Sequence, residues 1–383
     1  MMKEQKLSQQ SKRELVEAVR DRYLRAGRKE KSKILDEFVA TTGFHRKHAI
    51  RVLRQGYQRG KEHRGRRRTY GGAVISALVE IWRICGCICG KRLQPFLPEM
   101  VHILERHGEL TLDDETKRLL MQMSAATIDR RLAPFRQQRG RGISTTKPGT
   151  LLKQSIPIRT FADWNETKPG FVEMDLVAHC GDANEGVYLN TLTAVDVMTG
   201  WTECFLLRHR SQQVVTAAVE SLQGRLPFPL LGIDCDNDSL FINGTLKRHC
   251  EAEQLTFTRS RPYRKNDQAF VEQKNGDIVR GNIGYRRYTS AQAAALLEAI
   301  YEDLHAYVNF FQPVRKLIHK ERHGAKVFKR YDEARTPHQR AMHLQSVDRH
   351  HKLRLQHEYL QLNPAELRRR IDVNLKQLWR LPE

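Results

Sequence analysis

Three features that the sequence lacks limit the classes of protein to which the chain can belong. No stretch of its 383 residues approaches the ~20 consecutive apolar residues that a membrane-spanning helix needs. Residues 1–6 contain no apolar signal core. The seven cysteines are odd in number and show no paired spacing, which fits a reducing compartment better than a disulfide framework. We therefore expect a cytoplasmic protein with no membrane partner.

Acidic residues are also scarce. The chain has 44 Asp and Glu against 66 Lys and Arg, which gives a formal net charge of +22. The excess is uneven, because residues 1–150 carry 33 Lys and Arg against 16 Asp and Glu, whereas residues 151–300 are nearly neutral and residues 301–383 are basic again. With 40% hydrophobic residues the chain can still bury a core. A basic protein of this length predicts two to four domains and a polyanionic partner.

Carboxylates that interrupt apolar runs carry the chemical signal. Asp175 lies within the apolar run 171–178, and Asp236 ends the apolar run 230–236; both runs predict strands. Glu272 lies in residues 266–275, which predict the start of a helix. Two Asp on strands and one Glu on a helix, in a basic chain, predict an oxygen cage for a divalent metal. Mg²⁺ binds few protein carboxylates and leaves positions open for substrate phosphate oxygens.

Together with their neighbours, these carboxylates resemble those of bacterial insertion-sequence transposases of the retroviral integrase superfamily, the DDE recombinases. Residues 236–243, Asp-Asn-Asp-Ser-Leu-Phe-Ile-Asn, resemble the second-Asp motif Asp-Asn-Gly-Ser-x-Phe, with Asp238 in place of the usual Gly. Pro262, Tyr263 and residues 266–272 resemble the segment that delivers the Glu. The interval of 35 residues between Asp236 and Glu272 matches the usual interval of the family. The resemblance covers residues 170–315.

The resemblance implies an α/β fold, an RNase H-like catalytic core in which helices flank a mixed five-stranded sheet. It implies that Asp175, Asp236 and Glu272 are catalytic and hold two Mg²⁺ or Mn²⁺ ions. The implied reaction is cleavage of DNA at transposon ends and transfer of the 3′-OH into target DNA, so the partners are terminal-repeat and target DNA bound by a homo-oligomer. Two alternatives stay open. One is a decayed or domesticated transposase that only binds specific DNA sequences, and the other is a nuclease of the same fold without strand transfer.

Asp234 and Asp238 compete with Asp236 for the second ligand position, because alternate residues of a strand share a face. Asp234 is predicted to lie deeper in the strand, and Asp238 falls in a turn, where Asp commonly bonds the local backbone. Asp236 lies where the strand ends, which leaves its carboxylate open to substrate. We assign Asp236 as the ligand, with Asp234 as the main competitor.

Apolar periodicity predicts the elements of this core, residues 161–315. A meander of strands at 171–178, 187–197 and 201–207, with Gly200 in a turn, precedes an αβαβα series. That series comprises a helix near 211–225, a strand near 229–235, a helix near 241–253, a strand near 254–259 and the helix that starts near 266; a long helix follows at 290–311. Three cations flank Glu272 and are candidate contacts to the DNA backbone, namely Lys265, Lys274 and Arg280.

The N-terminal residues 1–57 predict an all-α DNA-binding domain. Helices are expected near 12–27, 31–41 and 44–54, and a short Gly turn separates the last two, which is the helix-turn-helix pattern. A three-helix bundle with a solvated basic face is the alternative. The residues predicted to face the major groove are His45, Arg46, Lys47 and Arg51. A basic linker at 58–72 follows, and three of its residues are expected to enter a minor groove or contact phosphates, namely Arg66, Arg67 and Arg68.

Residues 73–136 predict a second helical, helix-turn-helix-like domain with helices near 73–85, 93–107, 114–121 and 124–132. Ser124 is a good N-cap for the last helix, in which Arg130 and Arg131 are either DNA contacts or a solvated pair. A linker at 137–160 joins this domain to the core, and a basic helical region at 316–383 follows the core. That region has a short extended piece at 327–333 and a final helix at 364–379, whose apolar stripe is expected to pack on its own domain.

Histidines and cysteines in the first 90 residues resemble the zinc module of retroviral integrases. Cys85, Cys87 and Cys89 are spaced Cys-x-Cys-x-Cys, whereas zinc sites prefer Cys-x₂₋₄-Cys. His45 and His48 lie on a different predicted helix, inside the basic DNA-binding unit. Zinc is therefore not expected.

Overall fold

The computed structural model describes residues 7–57, 69–136, 156–157, 168–183, 185–261 and 265–382, and the side chains of residues 265 and 266 lie outside that description. The chain divides into two compact units, Met1–Gly71 and Gly72–Glu383. Arg66, Arg67, Arg68 and most of the predicted linker at 137–160 fall outside the described residues. Among the helices of the described part, none is both long and apolar enough to cross a membrane.

Three helices build the first unit: α1 (Gln9–Arg25), α2 (Arg28–Thr42) and α3 (Arg46–Gln55). Gly43 ends α2 with a φ of 68°, a left-handed conformation that favours glycine, and its N–H donates to the Val39 carbonyl. The core between the helices consists of Val16, Tyr23, Ile34, Leu35, Phe38, Ala49, Val52 and Leu53. The helices lie where periodicity places them, and DNA binding by a helix-turn-helix stays a prediction.

The second unit begins with four helices: α4 (Gly72–Ile84), α5 (Gly90–Arg106), α6 (Asp114–Met121) and α7 (Ala125–Leu132). Ser124 caps α7, because its hydroxyl accepts from the Thr127 N–H. Arg92 on α5 donates to the Pro313 carbonyl at 2.6 Å, and Tyr307 donates to the Ile84 carbonyl at 2.6 Å. These bonds join α4 and α5 to residues 307–313 within one compact unit.

A five-stranded mixed sheet lies at the centre of this unit. Its strands are β1 (Phe171–Ala178), β2 (Asn190–Asp196), β3 (Thr202–Leu207), β4 (Gly232–Cys235) and β5 (Thr256–Arg259), in the order β3-β2-β1-β4-β5. β1, β2 and β3 are antiparallel neighbours, whereas β4 and β5 run parallel to β1. Helices α8 (Gln212–Arg225) and α9 (Gly244–Ala252) connect the later strands. This mixed five-stranded sheet with flanking helices matches an RNase H-like core, which confirms that part of the predicted fold class.

Two further helical segments complete the core. Helix α10 (Ala269–Lys274) continues into a π-helical turn, Asn275–Arg280, and α11 (Ala291–Phe311) packs against β3. The Asn309 side chain of α11 bonds both the N–H and the carbonyl of Thr202, at 2.8 and 2.9 Å, which fixes α11 on the edge strand.

The C-terminal region contains a β-hairpin that periodicity does not reveal. Strands β6 (Leu317–His323) and β7 (Lys326–Tyr331) pair with each other before α12 (Pro337–His343), α13 (Arg349–Gln361) and α14 (Pro364–Leu378). The sequence predicts only one short extended piece here, because charged residues replace the apolar alternation of an ordinary strand. The α14 stripe is buried, and α14 packs against α11, which lies within the predicted core and not within the C-terminal region to which α14 was assigned. The stripe consists of Leu367, Ile371, Leu375 and Leu378.

Candidate active site

Asp175 lies on β1, and Asp236 directly follows β4, the parallel neighbour of β1. The register of β1 and β4 pairs Glu173 with Asp234 and Met174 with Cys235. Asp175 and Asp236 each follow this last pair by one residue. Because side chains alternate along a strand, Asp175 shares a face of β1 with Glu173, and Asp234 shares that face of the sheet on β4. The strand pairing therefore concentrates carboxylates on one face.

The electrostatics of the two aspartates reflects this crowding. Burial, and then the charge of Asp175, raises the pKa of Asp236 well above its ordinary value. Burial raises the pKa of Asp175 too, and the charges of Glu272 and Asp238 add to that effect. Asp175 accepts hydrogen bonds from the Leu176 N–H at 2.8 Å and from Asn275 at 2.7 Å. Among the described residues, no Lys or Arg forms an ion pair with Asp175 or Asp236.

Glu272 lies in the first turn of α10 and its side chain is exposed. Its charge raises the pKa of both Asp175 and Glu173, so it faces the carboxylates of β1. Glu173 fixes the helix that carries Glu272, because its Oε2 accepts from the N–H groups of Phe270 and Val271, each at 2.9 Å. Glu173 is not among the residues predicted for the site, although its position two residues before Asp175 in an apolar strand places both side chains on one face.

The two competitors for the second ligand position are occupied by other interactions. Asp234 is fully buried and accepts from Thr258 at 2.6 Å and from Gln268 at 3.3 Å. Asp238 forms an ion pair with Arg210 at 2.8 Å and accepts from the Leu240 N–H at 2.9 Å. Asp236 accepts from the Asp238 N–H at 2.9 Å. These contacts favour Asp236 over its neighbours as a ligand.

Asp238 occupies the position at which the resembled motif has Gly. Among the described residues, the only non-Gly residues with a positive φ are Cys87 and Gln254, so position 238 has no left-handed backbone that would require Gly. The neighbouring Asn237 fastens the turn, since it donates to the Ser260 carbonyl at 2.9 Å and accepts from Arg259 at 3.1 Å. The departure from the motif is therefore compatible with the local structure.

Two of the three predicted cations around Glu272 are buried or bonded within the fold, and their contact with DNA stays a prediction. Lys274 is buried, and burial together with the Arg92 charge lowers its pKa from 10.5 to about 7. Arg280 donates to the Ala178 carbonyl at 2.8 Å and to the Gly284 carbonyl at 3.3 Å. The side chain of Lys265 lies outside the described part of the structure.

The predicted DNA contacts of the helical segments lie on the surfaces of their own units. His45, Arg46, Lys47 and Arg51 are exposed near the start of α3. Arg46 pairs with Asp36, and Arg51 shares a hydrogen bond of 2.9 Å with His48. In the second unit Arg130 is exposed and Arg131 is half-buried. Their exposure is compatible with the predicted contacts and with a solvated basic face alike.

The chemistry of the aspartate pair fits a hard divalent cation. Both carboxylates are half-buried and, among the described residues, form no ion pair with a Lys or Arg. Desolvation raises the pKa of each, and neighbouring carboxylates add to it, namely Glu272 and Asp238 for Asp175 and Asp175 for Asp236. A bound cation would relieve this unfavourable state. Among the described residues, no group of three or more His, Cys, Asp or Glu side chains lies close enough to hold a metal ion. Asp175 and Asp236 thus form the assembled pair, with Glu272 as the adjacent third carboxylate.

Comparisons with known proteins place the chain in a family. No family model matches it. Among solved structures, a similar one is the catalytic core domain of BIV integrase, at 18% identity and a TM-score of 0.29; the match covers 44% of this chain and 91% of that chain. The chain is also similar to the uncharacterized protein y4rM of Sinorhizobium fredii (strain NBRC 101917 / NGR234), with 46% identity over 332 residues, which cover 85% of this chain and 93% of that protein. Because this identity extends over most of both chains, the chain belongs to the family of the protein y4rM.

Proposed function

We propose that the protein is a DDE transposase that cleaves DNA at transposon ends and joins the freed 3′-OH to target DNA. The observation that carries the proposal is the pair Asp175 and Asp236, two half-buried aspartates on β1 and directly after the neighbouring parallel strand β4. Among the described residues, neither forms an ion pair with a Lys or Arg. The ordered motifs around Asp236 and Glu272 support the same function through their resemblance to insertion-sequence transposases.

In this proposal Asp175, Asp236 and Glu272 hold two Mg²⁺ or Mn²⁺ ions. Such ions lower the pKa of a bound water and stabilise the attacking and leaving oxygens of a phosphodiester displacement. The neighbouring residues orient the ligands. Asn275 and the Leu176 N–H hold the Asp175 carboxylate, whereas Arg210 pairs with Asp238 and neutralises a fourth charge beside the ligands.

The basic N-terminal segments supply DNA affinity in this proposal. Neutralised phosphates release counter-ions, so binding should weaken steeply as salt rises. The compact unit 1–71 contains the exposed cations of α3 and a core of its own, which makes it the fragment of choice for a binding assay. If the affinity of the fragment for element-end DNA does not change between low and moderate salt, this part of the proposal is contradicted.

A cleavage and strand-transfer assay tests the proposal and separates it from its alternatives. The DNA flanking the gene supplies the candidate inverted repeats, which are labelled and incubated with the protein and Mg²⁺. Cleavage followed by joining supports a transposase. Cleavage without joining indicates a nuclease, and binding without cleavage indicates a DNA-binding protein that has lost catalysis. Asp175→Asn protein is the matched control, because only metal-dependent products should disappear with it.

A further inference from the structure

The β6–β7 hairpin is a two-stranded ribbon that exposes both of its faces. Every residue of β7 is exposed, and so is every residue of β6 except the half-buried Leu317. Among the described residues no third strand pairs with it. A two-stranded hairpin is only marginally stable in water. Exposed apolar side chains such as Phe328, at 56% exposure, make the solvent-exposed hairpin less favourable still. The hairpin therefore has the character of a binding element.

The base of the hairpin is anchored firmly to the second unit. Lys316 donates through Nζ to the carbonyls of Val197 and Met198, at 2.7 and 2.6 Å, in the turn between β2 and β3. Asp332 accepts from the Lys316 N–H at 2.6 Å and forms an ion pair with Arg340 at 2.7 Å. At the other end, the two-residue loop begins with Gly324, whose φ of 60° favours glycine. The ribbon thus extends from a fixed base.

The two faces of the ribbon differ in charge. The register pairs Lys320 with Lys329 and Arg322 with Val327, so three cations and one Val share the first face, which we call the cationic face. The only carboxylate between residues 317 and 331, Glu321, lies on the opposite face. There it pairs with His323 at 2.8 Å and His319 at 3.5 Å. No carboxylate of the hairpin therefore offsets the cationic face.

Lys320 and Lys329 are direct cross-strand partners, and like charges in that arrangement destabilise a hairpin. Among the described residues, neither Lys forms an ion pair with a carboxylate. Such a repulsive pair becomes favourable against a polyanion. A two-stranded ribbon also fits the major groove of duplex DNA, which is about 12 Å wide.

We propose that the cationic face of the β6–β7 hairpin, formed by Lys320, Arg322 and Lys329, is a binding site for the phosphate backbone of duplex DNA. The site rests on the proposed function in one respect, because its partner is the DNA on which the protein is proposed to act. It adds a contact surface in the C-terminal region, to which the sequence analysis assigned no role.

The test compares two double variants of the full chain that remove equal charge from opposite faces. Lys320→Gln/Lys329→Gln alters the cationic face, and Lys326→Gln/Arg330→Gln alters the other face. Affinity for a short labelled duplex of arbitrary sequence is measured across a salt series in EDTA. The first variant should lower the slope of log affinity against log salt by about 2, since each neutralised phosphate contributes about 0.9. The second should leave the slope near that of the wild type.

Equal losses in the two variants, or an unchanged slope in the first, would overturn the proposal. The substitutions are on exposed residues, and removal of the Lys320 and Lys329 repulsion should keep or raise the melting temperature, which verifies folding. The assay contains no metal and measures no cleavage. If the wild-type protein fails to cleave element ends, the proposed function is contradicted, but the comparison of the salt slopes still tests the hairpin as a DNA-binding site.

Discussion

The Glu173 carboxylate accepts a hydrogen bond of 2.9 Å from the backbone N–H of Val271, the residue that precedes Glu272. Glu173 lies on β1, two residues before Asp175, the first candidate ligand. Its side chain thus fixes the helix turn that presents Glu272, the third candidate ligand. Burial raises the pKa of Glu173 well above its ordinary value, whereas its hydrogen bonds from the Val271 and Phe270 N–H groups act in the opposite direction.

Glu173→Ala should therefore reduce metal-dependent cleavage about 10- to 100-fold, the usual effect of losing a group that orients a ligand. Glu173→Gln should retain most of the activity, because its amide oxygen can accept the same two backbone hydrogen bonds. Hydrogen exchange provides a readout that does not depend on catalysis. The Phe270 and Val271 amides should exchange faster in the Ala variant than in the Gln variant. Equal activity of the Ala variant and the wild type would show that Glu173 has no positioning role.

Asp175→Asn should abolish metal-dependent cleavage while DNA affinity stays equal or rises. The amide keeps the hydrogen-bonding shape of the side chain but removes a negative charge and a metal ligand, and a less acidic site repels phosphates less. Cleavage and DNA binding are measured on the same preparation. Near-normal cleavage by the variant with Mg²⁺ would exclude Asp175 as a ligand.

Asp236→Asn should stabilise the metal-free protein, and by more as the pH rises. The folded-state pKa of Asp236 is raised, so the wild type loses stability as pH rises from the ordinary aspartate value of about 3.9 toward the raised pKa. An Asn is neutral throughout and escapes this loss. The charged groups that face Asp236 are Asp175, Asp238 and Arg210, and all of them remain in the variant.

Thermal unfolding in EDTA at several pH values measures how far the melting temperature of the variant exceeds that of the wild type. This difference in melting temperature should be small near pH 4 and larger at pH 8. Added Mg²⁺ should raise the melting temperature of the wild type more than that of the variant, because a bound cation stabilises only the protein that retains the ligand. A difference that narrows as pH rises would contradict the raised pKa.

The sequence predicts the sheet well and the surroundings of the site less well, for a physical reason that particular residues illustrate. Apolar runs such as 171–178 are largely buried, so they report directly on the strand that carries Asp175 and on the strand that ends next to Asp236. Apolar periodicity does not predict the surroundings of Glu272. Helix α10 changes into a π-helical turn at Asn275, where helical phase no longer follows 3.6 residues per turn. Arg280, at the end of this turn, donates to the Ala178 carbonyl, although a regular helix suggested a solvated cation. Lys274 precedes the turn and is buried by tertiary packing, which no local pattern encodes.

The β6–β7 hairpin was missed for a related reason. Period-two alternation reveals a strand only when one of its faces is buried, and no residue of this ribbon is buried. The Glu173 contact was missed because it joins residues about a hundred positions apart, which no local pattern encodes.

The last prediction concerns Asp238, at which the chain departs from the Gly of the resembled motif. Its side chain is 5% exposed and its main electrostatic partner is Arg210, at 2.8 Å. Arg210→Ala would leave a buried carboxylate without a counter-ion beside Asp236, so we expect a loss of about 3 kcal/mol in the free energy of unfolding. Asp238→Gly removes the negative charge of the carboxylate and restores the Gly of the motif.

The double variant Arg210→Ala/Asp238→Gly should therefore be more stable than Arg210→Ala alone, because it contains no buried carboxylate without a counter-ion. Chemical denaturation of the three variants and the wild type closes a double-mutant cycle. Additive effects of the two substitutions would show that the Arg210–Asp238 pair contributes nothing of its own.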